Sequence, residues 1–264
     1  MSEQDRLASD LRLAVARGEI TARFQPQVDI RDGRIVAIEA LSRWQHPQRG
    51  MVPPLEFIPL AEETGVMVEV GDAMLEVACR YGTELAATGL RIEIAVNVAA
   101  AQLSEADFAD DVARHVETTG MPAELLTLEL TESHPSPAEA AGLLAEVRDI
   151  GVGVSIDDVR TVEEAQVRTR ALPVTEIKID RSVIQRLPDD RTEARRLLGF
   201  ARKSGFRAVA EGIETERQLD AVRELGFDRA QGYLLGRPLT PGRLMPRLGA
   251  MKSPSEAGEF QSAS

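Results

Sequence analysis

Acidic and amide side chains recur at the ends of short apolar runs. Glu39 follows IVAI, Asn97 follows IEIAV, Glu129 sits within LLTLEL, Asp157 and Asp158 follow VGVSI, and Glu211 follows RAVA. Short runs of Val, Ile and Leu that alternate with helix-length segments build a buried parallel sheet, and residues at the carboxyl ends of its strands gather at one mouth. This pattern restricts the chain to α/β architectures and points its oxygen donors at a shared cation.

The chain opens differently from the rest. Arg23 to Asp29 alternates as a strand, Arg31-Asp32-Gly33-Arg34 supplies a turn, and Ile35 to Arg43 resumes as a strand, so the first pair reads as an antiparallel hairpin. Beyond it, helical periodicity covers 71–87, 105–119, 137–150, 192–204 and 216–225. Strand-like runs lie at 92–98, 126–130, 152–156, 176–179, 207–210 and 229–232. The sum is eight strands, a modified TIM-type (β/α)8 barrel with an antiparallel first strand. Residues 1–22 read as an N-terminal connecting helix, 23–250 as the barrel domain, and the Ser-rich stretch 251–264 as a flexible tail.

The 264 residues suffice for one such domain with a full core. Asp plus Glu number 43 against 31 Lys plus Arg, and a net charge of -12 argues against non-specific binding to nucleic acid or to an anionic membrane. A small phosphorylated ligand stays compatible, through local positive groups. Cys79 is the only cysteine, which excludes an internal disulfide and a cysteine metal cluster; it reads as core filling in a reducing, cytoplasmic chain. No apolar stretch approaches the ~20 residues of a membrane span, and the charged start does not read as a signal peptide.

Carboxylates and an amide carbonyl are hard donors that suit Mg²⁺ or Mn²⁺ better than copper or structural zinc. One or two such ions activate water and bind phosphate oxygens, which suits phosphodiester hydrolysis. His46, His115 and His134 share no spacing that brings two imidazoles together and are assigned no metal. Trp44, beside Arg43, is the one aromatic side chain weighed as a stacking surface rather than as packing, and Glu214 reads as a helix cap.

Glu39-Ala40-Leu41 followed by Arg43, then VNVAAAQL, LELTES, IDD, KID, AEGIE and AQGYLLGRP, stand in the order and spacing of the EAL family, which the chain resembles over Phe24 to Pro238. The family comprises bacterial phosphodiesterases acting on cyclic di-GMP. The resemblance implies that Glu39, Asn97, Glu129 and Asp157 hold one ion, with Asp157 shared and Asp158 turned toward a second. It implies that Glu211 meets a metal directly or through water, and that Lys178 lies near the attacking water and acts electrostatically. Glu39, Lys178 and Glu211 form the catalytic set.

Arg43, four residues after Glu39, shares its face of the strand and reaches a bound phosphate. The resemblance places Gln231 near the ligand, with Gln25, Leu41 and Pro59 as walls around sugar and base. It further implies a homodimer, and a partner or sensor protein supplying the regulatory input.

One segment departs from the family. Phe-Gly-Thr-Gly-Tyr-Ser-Ser normally follows the paired aspartates, whereas here Val159, Arg160, Thr161, Val162, Glu163, Glu164 and Ala165 do, and Ala99 replaces a serine after Asn97. Both glycines of that loop are gone, so its backbone cannot follow the same path at no cost. Glu132, the residue that resembles the loop's anchor, is retained. Arg160 is a candidate partner for Asp158 or for a ligand phosphate, in place of a metal. The expectation is hydrolysis of cyclic di-GMP to linear pGpG at a reduced rate. The alternatives are a weak or inactive cyclic di-GMP receptor and, ranked below it, a barrel enzyme of the enolase type.

Overall fold

The computed structural model describes residues 3–131 and 137–250. Its strands are β1 (Ile20–Asp29), β2 (Ile35–His46), β3 (Gly50–Val52), β4 (Glu93–Val98), β5 (Leu126–Leu130), β6 (Gly153–Val159), β7 (Glu176–Ile179), β8 (Arg207–Ala210) and β9 (Arg229–Gln231). They form one sheet in the order β1-β9-β8-β7-β6-β5-β4-β2-β3, and a further pairing of β1 with β2 closes eight of them into a barrel. β3 lies outside the ring as an antiparallel flap on β2. It is the one strand beyond the eight expected, three residues long and without the apolar run that marks the others.

The hairpin appears as expected. β1 pairs antiparallel with β2 from Ile20–Trp44 to Val28–Ile35, and Gly33 takes a left-handed φ of 72° in the turn. β1 also runs antiparallel to β9, so a single strand is reversed against the otherwise parallel ring.

Helices α1 (Glu3–Ala14), α2 (Pro54–Thr64), α3 (Met67–Ala87), α4 (Phe108–Thr119), α5 (Pro137–Asp149), α6 (Val162–Arg168), α7 (Arg181–Arg186), α8 (Thr192–Ser204), α9 (Glu216–Leu225) and α10 (Pro241–Ala250) accompany the barrel. The five with clear apolar periodicity match the sequence reading to within a few residues, and α2, α6, α7 and α10 were not legible as helices. α6 and α7 span two turns or fewer, too short for a 3.6-residue period to show.

Outward-facing Val, Ile and Leu of the strands pack under these helices: Ile38, Ile94, Leu126, Leu128, Val154, Ile156, Ile177 and Ile179 are all fully buried. Cys79 belongs to this core, and burial pushes its thiol up to about 12. Trp44 is also fully enclosed, its Nε1–H donating to Glu19 Oε2 at 3.0 Å, and so offers no stacking surface. The cap expected at Glu214 falls one residue later. Thr215 caps α9 in a reciprocal box with Gln218, while the Glu214 carboxylate pairs with Arg181 at 3.1 Å.

The barrel interior is polar in layers, because inward positions recur every second residue. At the end opposite the mouth, Glu93 accepts two hydrogen bonds from Arg229, at 2.9 and 3.0 Å, one from Arg207 at 2.8 Å and one from Thr127 at 3.0 Å. Glu176 joins the same two arginines, so the charges balance and this end is plugged. Among the described residues, no helix is long and apolar enough to cross a membrane.

Candidate active site at the barrel mouth

The register of the β1–β2 ladder sets inward side chains in rungs toward the mouth. Gln27 faces Ala37, Gln25 faces Glu39, Arg23 faces Leu41 and Thr21 faces Arg43. Glu39 thus stands inside the barrel and Arg43 two rungs higher, on the same face of β2. Across the parallel strands, Asn97 lies beside Glu129 and Glu129 beside Ser155. Lys178 adjoins Val209 on the other side of the ring, and Gln231 opposes Gln27.

Lys178 is 1% exposed and stands at the centre of the cluster. Its Nζ is 2.8 Å from Glu129, 2.9 Å from Glu211, 3.2 Å from Asp157 and 3.6 Å from Glu39. Burial opposes its charge, yet the surrounding carboxylates hold it protonated well above the ordinary lysine range. Burial and the mutual repulsion of neighbouring carboxylates raise Glu129 and Glu211 well above the usual carboxylate range, against the pull of Lys178.

Asp157 and Asp158 are consecutive, and in a regular strand they would face opposite sides. The β6–β7 register shifts between Ile156 and Val159, and Asp158 takes a left-handed φ of 57°, a conformation that Asp tolerates better than most residues. This bulge turns both carboxylates to the mouth, where one oxygen of each and one of Glu211 all lie within 4.8 Å of one another. Burial and the Asp157 charge push Asp158 up to about 6.

The residues present fit a hard divalent cation. The donors are oxygens throughout, and four carboxylates face one ammonium, leaving an excess of buried negative charge. Glu129 Oε1 and Gln231 Oε1 are buried without a hydrogen-bond partner among the described residues. Asn97 Nδ2 donates to Glu39 Oε1 at 2.9 Å, leaving the Asn97 carbonyl oxygen to accept or ligate. Gln231 Nε2 donates to the other Glu39 oxygen at 2.6 Å, so Glu39 is oriented from two sides.

The remaining sequence candidates divide. Gln25 donates to Gly236 O at 3.1 Å and lines the mouth opposite Glu39. Leu41 is half-buried one rung above. Pro59 lies in α2 and lines a groove of about 450 Å³ with Leu7, Arg49, Leu55, Glu56, Leu60 and Glu63, none of which belongs to the acidic cluster. Glu132 and His134 fall outside the described residues, as does the segment 251–264. His46 Nε2 faces Asp10 at 3.2 Å and His115 Nε2 faces Asp72 at 2.6 Å, each ring paired with its own carboxylate.

The altered segment is a helix start. Thr161 caps α6 by accepting from Glu164 N, the Arg160 N–H donates to Glu164 Oε2, and Val162 N donates to Glu193 Oε1. Arg160 Nε stands 3.7 Å from Asp180, and Asp180 shares a side-chain hydrogen bond with Asp158. Arg160 therefore reaches the paired aspartates through Asp180. Arg168, buried, donates to the carbonyls of Asp157 and Leu130 and braces the bulge from behind.

Fold and site define an eight-stranded α/β barrel whose mouth gathers acidic side chains around one lysine. The family model described as EAL domain matches residues 8–238, and the chain belongs to that family. It is 37% identical over 250 residues to the bifunctional diguanylate cyclase/cyclic di-GMP phosphodiesterase MucR of Pseudomonas aeruginosa, covering 92% of this chain and 36% of MucR. It is 35% identical over 244 residues to the cyclic di-GMP phosphodiesterase NbdA of the same organism, covering 90% of this chain and 31% of NbdA. The chain thus spans about a third of the length of the curated relatives it matches. Among solved structures, the PaMucR phosphodiesterase in its c-di-GMP complex superposes with a TM-score of 0.81 at 35% identity, over 90% of this chain and 99% of that one.

Proposed function

We propose that this chain hydrolyses cyclic di-GMP to linear pGpG with Mg²⁺ or Mn²⁺. The observation that carries the reading is the buried excess of carboxylate around Lys178, at a mouth whose rim bears Arg43. Glu39, Asn97, Glu129, Asp157, Asp158 and Glu211 would hold one or two ions, with Asp157, Asp158 and Glu211 close enough to share one. The bound cation would make water acidic and draw charge from the phosphate oxygens.

The side chains do the rest. Lys178, held charged by its neighbours, stabilises negative charge that grows on the attacking oxygen and on the phosphate. Glu39 is fixed by Asn97 and Gln231 so that its oxygens do not rotate away from the centre. Arg43 receives phosphate at the rim. Burial and the nearby Arg23 charge make it less basic than an ordinary arginine, so an anion there relieves a repulsion. The domain would work in the cytoplasm, as a homodimer under a sensor or partner.

The capped start of α6 favours a second reading, a receptor that binds cyclic di-GMP and turns it over slowly or not at all. Arg160 and Val162 stand where the family has glycines, and both are tied into hydrogen bonds of the helix start. Incubation of the purified protein with cyclic di-GMP and Mg²⁺ or Mn²⁺, followed by chromatography, separates the two. Linear pGpG supports the enzyme, binding without product supports the receptor, and neither binding nor product refutes both.

A further inference from the structure

A guanidinium is buried behind the strand ends that carry the acidic cluster. Arg168, the last residue of α6, is 8% exposed, and its side chain reaches the last residue of β5 and the bulge of β6. Nη1 donates to Asp157 O at 2.6 Å and Nη2 to Leu130 O at 3.0 Å, so one planar group ties together two neighbouring strands. Leu130 directly follows Glu129. Glu164 is the counter-ion: its Oε1 accepts from Arg168 Nη1 at 3.1 Å, while its Oε2 takes the Arg160 N–H at 3.0 Å. Arg168 Nε is buried with no hydrogen-bond partner among the described residues.

Stability alone does not explain a charge in this place. Burying an ionised group costs free energy, and a well-packed apolar side chain would serve a core as well or better. What the guanidinium supplies is geometry. Between the Ile156–Ile177 and Val159–Ile179 pairs, β6 sets Asp157 and Asp158 against the single Lys178 of β7, and the extra residue is what brings both carboxylates to the mouth. The peptide that joins the two aspartates is held at both of its ends. Arg168 donates to its carbonyl oxygen, and its N–H, that of Asp158, donates to Asp157 Oδ1 at 2.8 Å. Hydrogen bonds in such a chain polarise one another, so the guanidinium strengthens the bond that orients the Asp157 carboxylate. The same Oδ1 lies 3.2 Å from Lys178 Nζ and is thus fixed from two directions.

We infer that Arg168 is a positioning residue for the cation site. It touches no ion or substrate; through the Asp157–Asp158 peptide it holds the orientation in which both aspartates can ligate, and through Leu130 it keeps Glu129 in register with them. Partners of this kind, one bond behind the ligands, set about tenfold to a hundredfold in metal affinity. The inference rests on the function proposed above, because it takes Glu129, Asp157 and Asp158 as ligands, and it adds a residue that the acidic cluster itself does not contain.

Calorimetric titration of the nucleotide-free protein with Mg²⁺ and with Mn²⁺, well below the melting temperature, tests it. Arg168→Met, which keeps much of the bulk and donates nothing, should weaken ion affinity about tenfold to a hundredfold. Arg168→Lys, whose ammonium lacks the fork that spans both carbonyls, should lose part of that. Where turnover is seen, Arg168→Met should need more ion for half-maximal rate while KM for cyclic di-GMP stays near wild type. Leu197→Ala, which removes fully buried volume from α8, should lower the melting temperature and leave ion affinity unchanged. Wild-type ion affinity in Arg168→Met, or a loss as large in Leu197→Ala, overturns the positioning role. Wild-type affinity in Arg168→Lys overturns it equally, so the test stands even where Arg168→Met fails to fold. A wild-type protein that takes up neither ion overturns instead the functional reading beneath it.

Discussion

Replacing Lys178 by Met removes the single cation from the centre of the acidic cluster while keeping its bulk. At an effective dielectric of about 20, a charge pair 3.2 Å apart is worth about 5 kcal/mol, and Lys178 has four such partners between 2.8 and 3.6 Å. Burial costs and repulsion among the carboxylates cancel most of that gross attraction. Breaking a buried pair nonetheless costs about 3–5 kcal/mol in practice, because a charge is left uncompensated. At about 2–4 °C per kcal/mol for a chain of this size, Lys178→Met in chelator should melt roughly 6–20 °C below wild type.

A divalent ion then brings the missing charge. A ligand present at about 100 times its Kd stabilises by about 2.7 kcal/mol, so Mg²⁺ or Mn²⁺ should recover a sizeable part of the loss. The variant should also gain more from the ion than wild type does. The measurement is a melting curve in chelator and in each ion, with Ca²⁺ and K⁺ as comparisons. If Lys178→Met melts with wild type in chelator and responds no more strongly to divalent ions, the excess negative charge assigned to this site is not there.

The other predictions concern neighbouring parts of the molecule. Arg43→Ala should weaken cyclic di-GMP binding by about 1.5–3 kcal/mol, the worth of a charge-assisted hydrogen bond, and leave divalent-ion affinity by calorimetry unchanged. Glu39→Ala should abolish turnover, read as loss of linear product. Arg160→Gly combined with Val162→Gly should raise the rate of pGpG formation while lowering the melting temperature, since glycine at a helix start costs up to about 1 kcal/mol per residue; an unchanged rate removes the role given to this loop. Cys79, fully buried and with its thiol near 12, should resist a disulfide-exchange reagent in the native protein and react only on unfolding.

Most of the barrel was legible because its strands are short runs of Val, Ile, Leu and Ala bounded by polar residues, and β4 to β9 fall where those runs do. The acidic cluster was legible for the same reason: each member stands at the carboxyl end of such a run. The orientation of Asp158 was not. Alternation alone would turn it away from Asp157, and only the bulge and its left-handed backbone bring it back.

Lys178 shows the same limit from the other side. Its place near the site is implied by the family resemblance at KID and not by the strand run alone, and that it is fully buried within reach of four carboxylates depends on strands far apart in sequence. The plug at the barrel's other end escaped notice too, since Glu93, Glu176, Arg207 and Arg229 lie at the starts of strands, where a charged residue ordinarily meets water.

β9 has three register pairs with β1 and two with β8, against nine between β1 and β2. So short a stave is kept in the ring by its side chains: Arg229 reaches across to Glu93 below, and Gln231 grips Glu39 above. It works like the buckle of a belt, fastened at two points and otherwise lightly held. Loosening the lower fastening should therefore be felt at the upper one, and its amides should exchange with deuterium sooner than those of the strands opposite.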